Sequence, residues 1–147
     1  MPRFISEKSK QIIKDSAELI TSKDKYITQK MYTILFTKYP HVKEFFSNAP
    51  KDQYMRLAEI LSVYAVNIDK IDRLKPALLV IAKKHVEVHI QPSQYPMIGM
   101  VLMQAIEETL EDKATPELMD AWREAYQFLA EILIEMEKEL YEKIEKK

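Results

Sequence analysis

A single glycine, Gly99, occurs in the 147 residues of this chain, together with seven prolines. β-Hairpins and bulges depend on glycine, because glycine adopts the positive φ angles that tight turns require. We therefore predict an all-α fold whose helices are separated by proline and short polar segments. The length allows one domain with a buried core but not two ordinary domains, and 47% of the residues are hydrophobic.

Hydrophobic periodicity and helix-start signals predict six to seven helices of unequal length. Thr115, Pro116 and Glu117 supply a hydroxyl cap, an N1 proline and a first-turn acid, which together predict the start of the last helix. Such unequal lengths favour an irregular helical sandwich that packs around a cofactor. The predicted helices span about 6–22, 24–39, 51–68, 74–89 and 116–143, and a further helix follows an N-cap at Ser93. Pro40 opens a short helical turn over 41–46.

The composition argues against several classes of function. The net charge is −1, with 22 basic and 23 acidic residues interleaved, so we expect neither nucleic acid nor a membrane as a partner. Cysteine is absent, which excludes disulfides, thiolate metal sites, thiol nucleophiles and covalently attached c-type haem. No secretory signal follows Met1, and the longest apolar run, 77–82, is far shorter than a membrane span. We expect a cytoplasmic protein.

His85 is the candidate metal ligand. It follows Leu74, Leu78 and Ala82 at helical spacing, so its imidazole falls on the apolar face of a predicted helix. Histidine commonly binds iron or zinc, although a lone buried histidine is more often a hydrogen-bonded core residue. His89 lies four residues later, but the intervening sequence does not match the zinc-hydrolase motif His-Glu-x-x-His.

Several stretches around His85 have a characteristic order and spacing. Pro40 lies six residues before Phe46, and Tyr95 lies ten residues after His85. The stretches are Met31-Tyr32 through Phe46, Asp52-Gln53 through Leu57, Tyr64 through Ile68, Lys84-His85, Gln94-Tyr95-Pro96, Ala121-Trp122 through Tyr126, and Glu137 through Tyr141. From about residue 10 to residue 141, the chain resembles the globin family, and most closely the haem domain of flavohaemoglobins and single-domain bacterial globins.

The resemblance implies a three-on-three helical sandwich around haem b, with a distal side that faces the gaseous ligand. Tyr32 would donate a hydrogen bond to bound O₂, and Gln53 would be a second donor or a gate. Leu57 would restrict the distal space, and Phe46 would pack flat against the porphyrin. From the local pattern alone, Tyr32 could be an ordinary core tyrosine, Gln53 could be exposed, and the neighbouring Phe45 could replace Phe46.

On the proximal side, the resemblance implies that His85 binds the haem iron. Tyr95 and Glu137 would form a hydrogen-bonded shell behind it, while Ile98, Leu102 and Tyr95 would contact the haem. A carboxylate that accepts the second imidazole N–H makes the ligand more basic. The local pattern alone also allows a solvated Glu137, although its face of the helix borders the core.

The resemblance also implies a function. It suggests one globin domain over residues 1–147, without a reductase domain, that binds O₂, NO or CO through iron. O₂-dependent detoxification of nitric oxide, of the nitric oxide dioxygenase type, would then draw electrons from a separate reductase, so whether the chain is an enzyme stays open. The alternatives are a non-catalytic O₂-binding, O₂-scavenging or gas-sensing globin, and a cofactor-free helical interaction module.

Overall fold

A computed structural model describes residues 5–46 and 52–145, and no strand occurs within these ranges. The all-α prediction is confirmed. The α-helices are α1 (Glu7–Lys38), α2 (Gln53–Val66), α3 (Lys75–Glu87), α4 (Tyr95–Leu110) and α5 (Pro116–Glu145), and short 3-10 helices span Pro40–Phe46, Ile71–Leu74, Pro92–Gln94 and Glu111–Lys113. α1 packs against α2, α4 and α5, and α5 also packs against α3 and α4. None of the helices in the described ranges has the length and apolarity needed to cross a bilayer.

The first helix differs from the sequence prediction. We predicted two helices over 6–22 and 24–39, but α1 is continuous from Glu7 to Lys38. The polar residues at the predicted break find partners that are compatible with a helix. Ser22 donates to the Leu19 carbonyl at 2.7 Å, and Asp24 accepts a 2.7 Å hydrogen bond from Ser62 on α2. Without glycine or proline in this segment, nothing interrupts the helix.

The segment before α4 also differs from its prediction. Ser93 is not an N-cap, because it lies inside the 3-10 helix Pro92–Gln94. Gln91 and Gln94 form a capping box instead, in which the Gln91 backbone N–H donates to the Gln94 side chain at 2.7 Å. The cap predicted at Thr115 is confirmed, since its hydroxyl accepts from the Leu118 N–H at 3.1 Å.

The hydrophobic core draws on all five α-helices. Trp122 is 1% exposed, and its indole nitrogen has no hydrogen-bond partner among the described residues. Gly99 is buried on α4 directly beneath the ring of Tyr126. A Cβ atom added at Gly99 would lie 2.5 Å from Tyr126 Cε2, so the close approach of α4 and α5 depends on the missing side chain.

Candidate functional site

Three polar side chains from three different helices, His85 and its two partners, form one hydrogen-bonded cluster. The His85 Nδ1 atom lies 3.0 Å from Glu137 Oε2 and 3.1 Å from the Tyr95 hydroxyl. The Tyr95 hydroxyl donates to the same Glu137 oxygen at 2.6 Å. His85 lies near the end of α3, Tyr95 begins α4 and Glu137 lies on α5. The structure therefore brings the predicted proximal residues together, and Glu137 is not the solvated carboxylate that the local pattern also allowed.

Burial and hydrogen bonding constrain the polar groups of this cluster. Glu137 is only 3% exposed, and a buried carboxylate needs partners such as these two donors. Burial raises the pKa of Tyr95 far above its ordinary value, and the hydrogen bond to Glu137 and its charge raise this pKa further, so the phenol keeps its proton. The carboxylate then accepts from Tyr95 and from the imidazole Nδ1–H, which is the tautomer that this network favours.

The other ring nitrogen of His85 is the metal-binding candidate. Nδ1 is occupied by Glu137 and Tyr95, and the His85 side chain is 33% exposed, which leaves Nε2 accessible. His89 lies beyond the end of α3 with a φ of 66°, so the two histidines do not share a helix face. Within residues 5–46 and 52–145, no three histidine, aspartate or glutamate side chains cluster as metal ligands. A single imidazole fits a metal that brings its other ligands with it, as haem iron does.

The predicted distal residues also lie together. The ring of Tyr32 stacks on Phe36 with 5.6 Å between centroids and meets Phe46 edge-on at 5.3 Å. Burial raises the pKa of Tyr32 to about 12, although a hydrogen bond with the Gln53 side chain lowers this pKa in part. Tyr32 is therefore a protonated donor within reach of Gln53. Phe46, rather than Phe45, supplies the observed ring contact with Tyr32.

The remaining predicted cofactor contacts are half-buried apolar residues. They belong to the border of the hydrophobic core rather than to its fully buried part: Leu57 on α2, and Ile98 and Leu102 on α4. Half-buried apolar walls and one accessible imidazole are what a porphyrin requires of its pocket, so these residues fit haem. Their contacts with haem stay a prediction.

Two tyrosines of α5 support the site and were not assigned to it from the sequence. The Tyr126 hydroxyl donates to the Tyr95 carbonyl, and the Tyr141 hydroxyl donates to the Ile90 carbonyl, both at 2.7 Å. Both tyrosines share a helix face with Glu137, which is the only sequence signal that could have indicated them. Their acceptors are backbone atoms, for which side-chain patterns give no indication.

Known proteins of one family are similar to this chain. A family model described as Globin matches residues 29–133. An uncharacterised globin-like protein of Aquifex aeolicus is 41% identical over 138 residues, which cover 94% of this chain and 98% of that protein. Among solved structures, an engineered carbene transferase from Rhodothermus marinus, named as a nitric oxide dioxygenase, superposes with a TM-score of 0.92 at 32% identity, covering 96% of this chain and 99% of that one.

A larger protein is also similar. The flavohaemoglobin of Malassezia yamatoensis, with bound FAD and haem, superposes with a TM-score of 0.83 at 27% identity. The match covers 93% of this chain but only 37% of the flavohaemoglobin. The chain therefore spans little more than a third of that protein.

Proposed function

This chain belongs to the globin family, and we propose that it binds haem b through His85 and uses it to convert nitric oxide and O₂ into nitrate. The observation that carries the proposal is the hydrogen-bonded set of His85, Glu137 and Tyr95. Haem binding is supported by the family and by the flavohaemoglobin structure with bound haem. The dioxygenase activity is suggested by the name of the Rhodothermus marinus protein.

On the proximal side, the protein controls the electron density of the imidazole. The Glu137 carboxylate accepts the Nδ1–H of His85 and thereby makes Nε2 a stronger electron donor. The Tyr95 hydroxyl donates to the same oxygen and holds the carboxylate in place. When bound, haem supplies the iron at which O₂ and nitric oxide react, in a conversion that consumes one electron: O₂ + NO + e⁻ gives NO₃⁻.

On the distal side, the protein supplies hydrogen-bond donors in a largely apolar setting. Tyr32 keeps its proton at neutral pH, because burial raises its pKa to about 12. Its hydroxyl can donate to a ligand that carries partial negative charge, with the Gln53 amide as a second donor. Phe36 and Phe46 restrict the motion of the Tyr32 ring.

We propose that the electron comes from a separate reductase and that the globin domain covers the described residues as one unit. A location in the cytoplasm is consistent with the lack of cysteine in the sequence. O₂ scavenging or sensing on the same fold is the second candidate, because the paired donors Tyr32 and Gln53 would also suit slow O₂ release.

Two measurements on the purified protein test the proposal. Absorption spectra of the reduced protein, with and without O₂ and CO, should show a Soret band that His85→Ala removes or strongly weakens. Anaerobic mixing of the O₂-loaded protein with nitric oxide should then yield about one nitrate per haem. Slow consumption with little nitrate would favour scavenging or sensing instead, and the lack of a Soret band would favour a cofactor-free module.

A further inference from the structure

One face of α5 contacts the end of α3, the segment that joins α3 to α4, and the start of α4. Tyr126, Glu137 and Tyr141 lie on this face, eleven and then four residues apart, which is close to three turns and then one turn. Glu137 contacts His85 and Tyr95 directly, whereas Tyr126 and Tyr141 donate to the backbone carbonyls of Tyr95 and Ile90. The stretch from His85 to Tyr95 is thus held by one helix at its two ends and at Ile90.

The contact made by Tyr141 leads back to His85. The Tyr141 hydroxyl donates to the Ile90 carbonyl at 2.7 Å, and the Ile90 N–H donates to the His85 carbonyl at 2.9 Å. Ile90 is therefore fixed at both of its backbone polar groups, with α5 on one side and the histidine on the other. Tyr141 is half-buried, so its hydrogen bond is partly shielded from water.

The residue just before Ile90 shows why this segment needs support. His89 has a φ of 66°, in the left-handed region that residues with a side chain seldom adopt. A backbone of this kind persists where neighbouring contacts determine it. The His89 N–H donates to the Val86 carbonyl at 3.1 Å, and Ile90 supplies the two contacts that follow.

We infer that Tyr141 is a positioning residue for His85. By fixing the Ile90 carbonyl, its hydroxyl holds the backbone of the histidine and so sets the angle at which the imidazole faces Glu137 and the iron. The inference rests on the proposed function, because the iron is the atom that His85 would bind. Without this contact, the imidazole would sample a wider range of orientations and would bind iron less firmly.

Tyr141→Phe removes the hydroxyl and keeps the ring, and Tyr64→Phe is the matched control. The Tyr64 hydroxyl also donates to a backbone carbonyl at 2.7 Å, that of Ala125 on α5, but this bond does not involve residues 85–95. Tyr64 is only 3% exposed, so Tyr64→Phe should lower the free energy of unfolding at least as much as Tyr141→Phe does. A purely structural role for Tyr141 predicts similar behaviour of the two variants.

Three readouts separate positioning from stability. The first is the iron–histidine stretching band of the reduced protein in resonance Raman spectra, and the second is the rate of haem loss to an excess of apomyoglobin. The third is amide hydrogen exchange at Ile90 in the protein before haem is added. We expect Tyr141→Phe to shift or broaden the band, to speed haem loss about fivefold and to speed exchange at Ile90. Tyr64→Phe should lower the unfolding midpoint and leave the band and Ile90 exchange unchanged.

An unchanged band together with unchanged haem loss in Tyr141→Phe would overturn the inference, as would equal band shifts in both variants. A wild-type protein that takes up no haem would overturn the proposed function as well. The two failures are distinguishable, because the second is visible in the absorption spectrum before any variant is made.

Discussion

Replacing Tyr32 with phenylalanine should increase the rate of O₂ dissociation about tenfold. A hydrogen bond to a charged acceptor contributes about 1.5–3 kcal/mol, which corresponds to a factor of about 10–150 in rate. The Gln53 side chain lies beside the Tyr32 hydroxyl and lowers its pKa, as a hydrogen-bond donor to the phenol oxygen does. Gln53 would remain as a second donor after the Tyr32 hydroxyl is removed, so the loss should lie at the lower end of that range.

The substitution should leave the packing around position 32 unchanged, because phenylalanine keeps the ring contacts with Phe36 and Phe46. Stopped-flow mixing of the O₂-loaded protein with excess CO measures the dissociation rate directly. Tyr26→Phe is the matched control, since Tyr26 lies on the same helix and is 63% exposed. The double variant Tyr32→Phe with Gln53→Leu should release O₂ faster than Tyr32→Phe alone, because Gln53 would otherwise remain as a donor.

A dissociation rate within about twofold of wild type would show that Tyr32 is an ordinary core tyrosine, because even a weak hydrogen bond of about 0.5 kcal/mol gives that factor. Equal acceleration in Tyr26→Phe would point to a general loosening of α1 rather than to a contact with O₂. Either result would remove the distal half of the proposed mechanism and leave the proximal half untouched.

Three further perturbations probe the proximal carboxylate, the packing of α4 on α5 and the response to alkali. Glu137→Gln should lower the iron–histidine stretching frequency in resonance Raman spectra. Glu135 is exposed, so Glu135→Gln is the control and should leave this frequency unchanged. If Glu137→Gln also leaves the frequency unchanged, Glu137 does not influence the electron density of the imidazole. Gly99→Ala should lower the free energy of unfolding, measured by urea titration, by about 1 kcal/mol net. Overpacking against Tyr126 costs about 1–3 kcal/mol, and the higher helix propensity of alanine returns about 1 kcal/mol. A raised urea midpoint would contradict this packing. Folding raises the pKa of Tyr32 from 10.0 to about 12, so the unfolded chain releases this proton at a lower pH than the folded protein does. The free energy of unfolding should therefore fall as the pH rises from 10 towards 12, and it should fall less in Tyr32→Phe. Urea midpoints measured at several pH values will check this.

Helix starts that depend on local chemistry could be predicted from the sequence. Thr115 caps α5 and Pro40 opens a 3-10 helix, since a capping hydroxyl and a proline ring act on their immediate neighbours. The uninterrupted α1 was wrongly predicted as two helices, although the segment contains neither glycine nor proline. Ser62, the partner of Asp24, is distant in sequence, and this contact becomes visible only in the fold.

The site divides in the same way. The resemblance to globins implied that His85, Tyr95 and Glu137 form one group, and the structure brings these three side chains into contact. The supporting hydrogen bonds from Tyr126 and Tyr141 end on backbone carbonyls. Every residue carries such a carbonyl, so no sequence pattern distinguishes the ones that serve as acceptors.

Trp122 gives the protein a built-in optical indicator. It is the one tryptophan in the sequence, and its position inside the core shields the indole from water. All tryptophan emission of the protein thus comes from one place, and porphyrins absorb light at the wavelengths that indoles emit. Filling the pocket should dim this light in step with occupancy, so cofactor uptake can be counted by fluorimetry without attaching a dye.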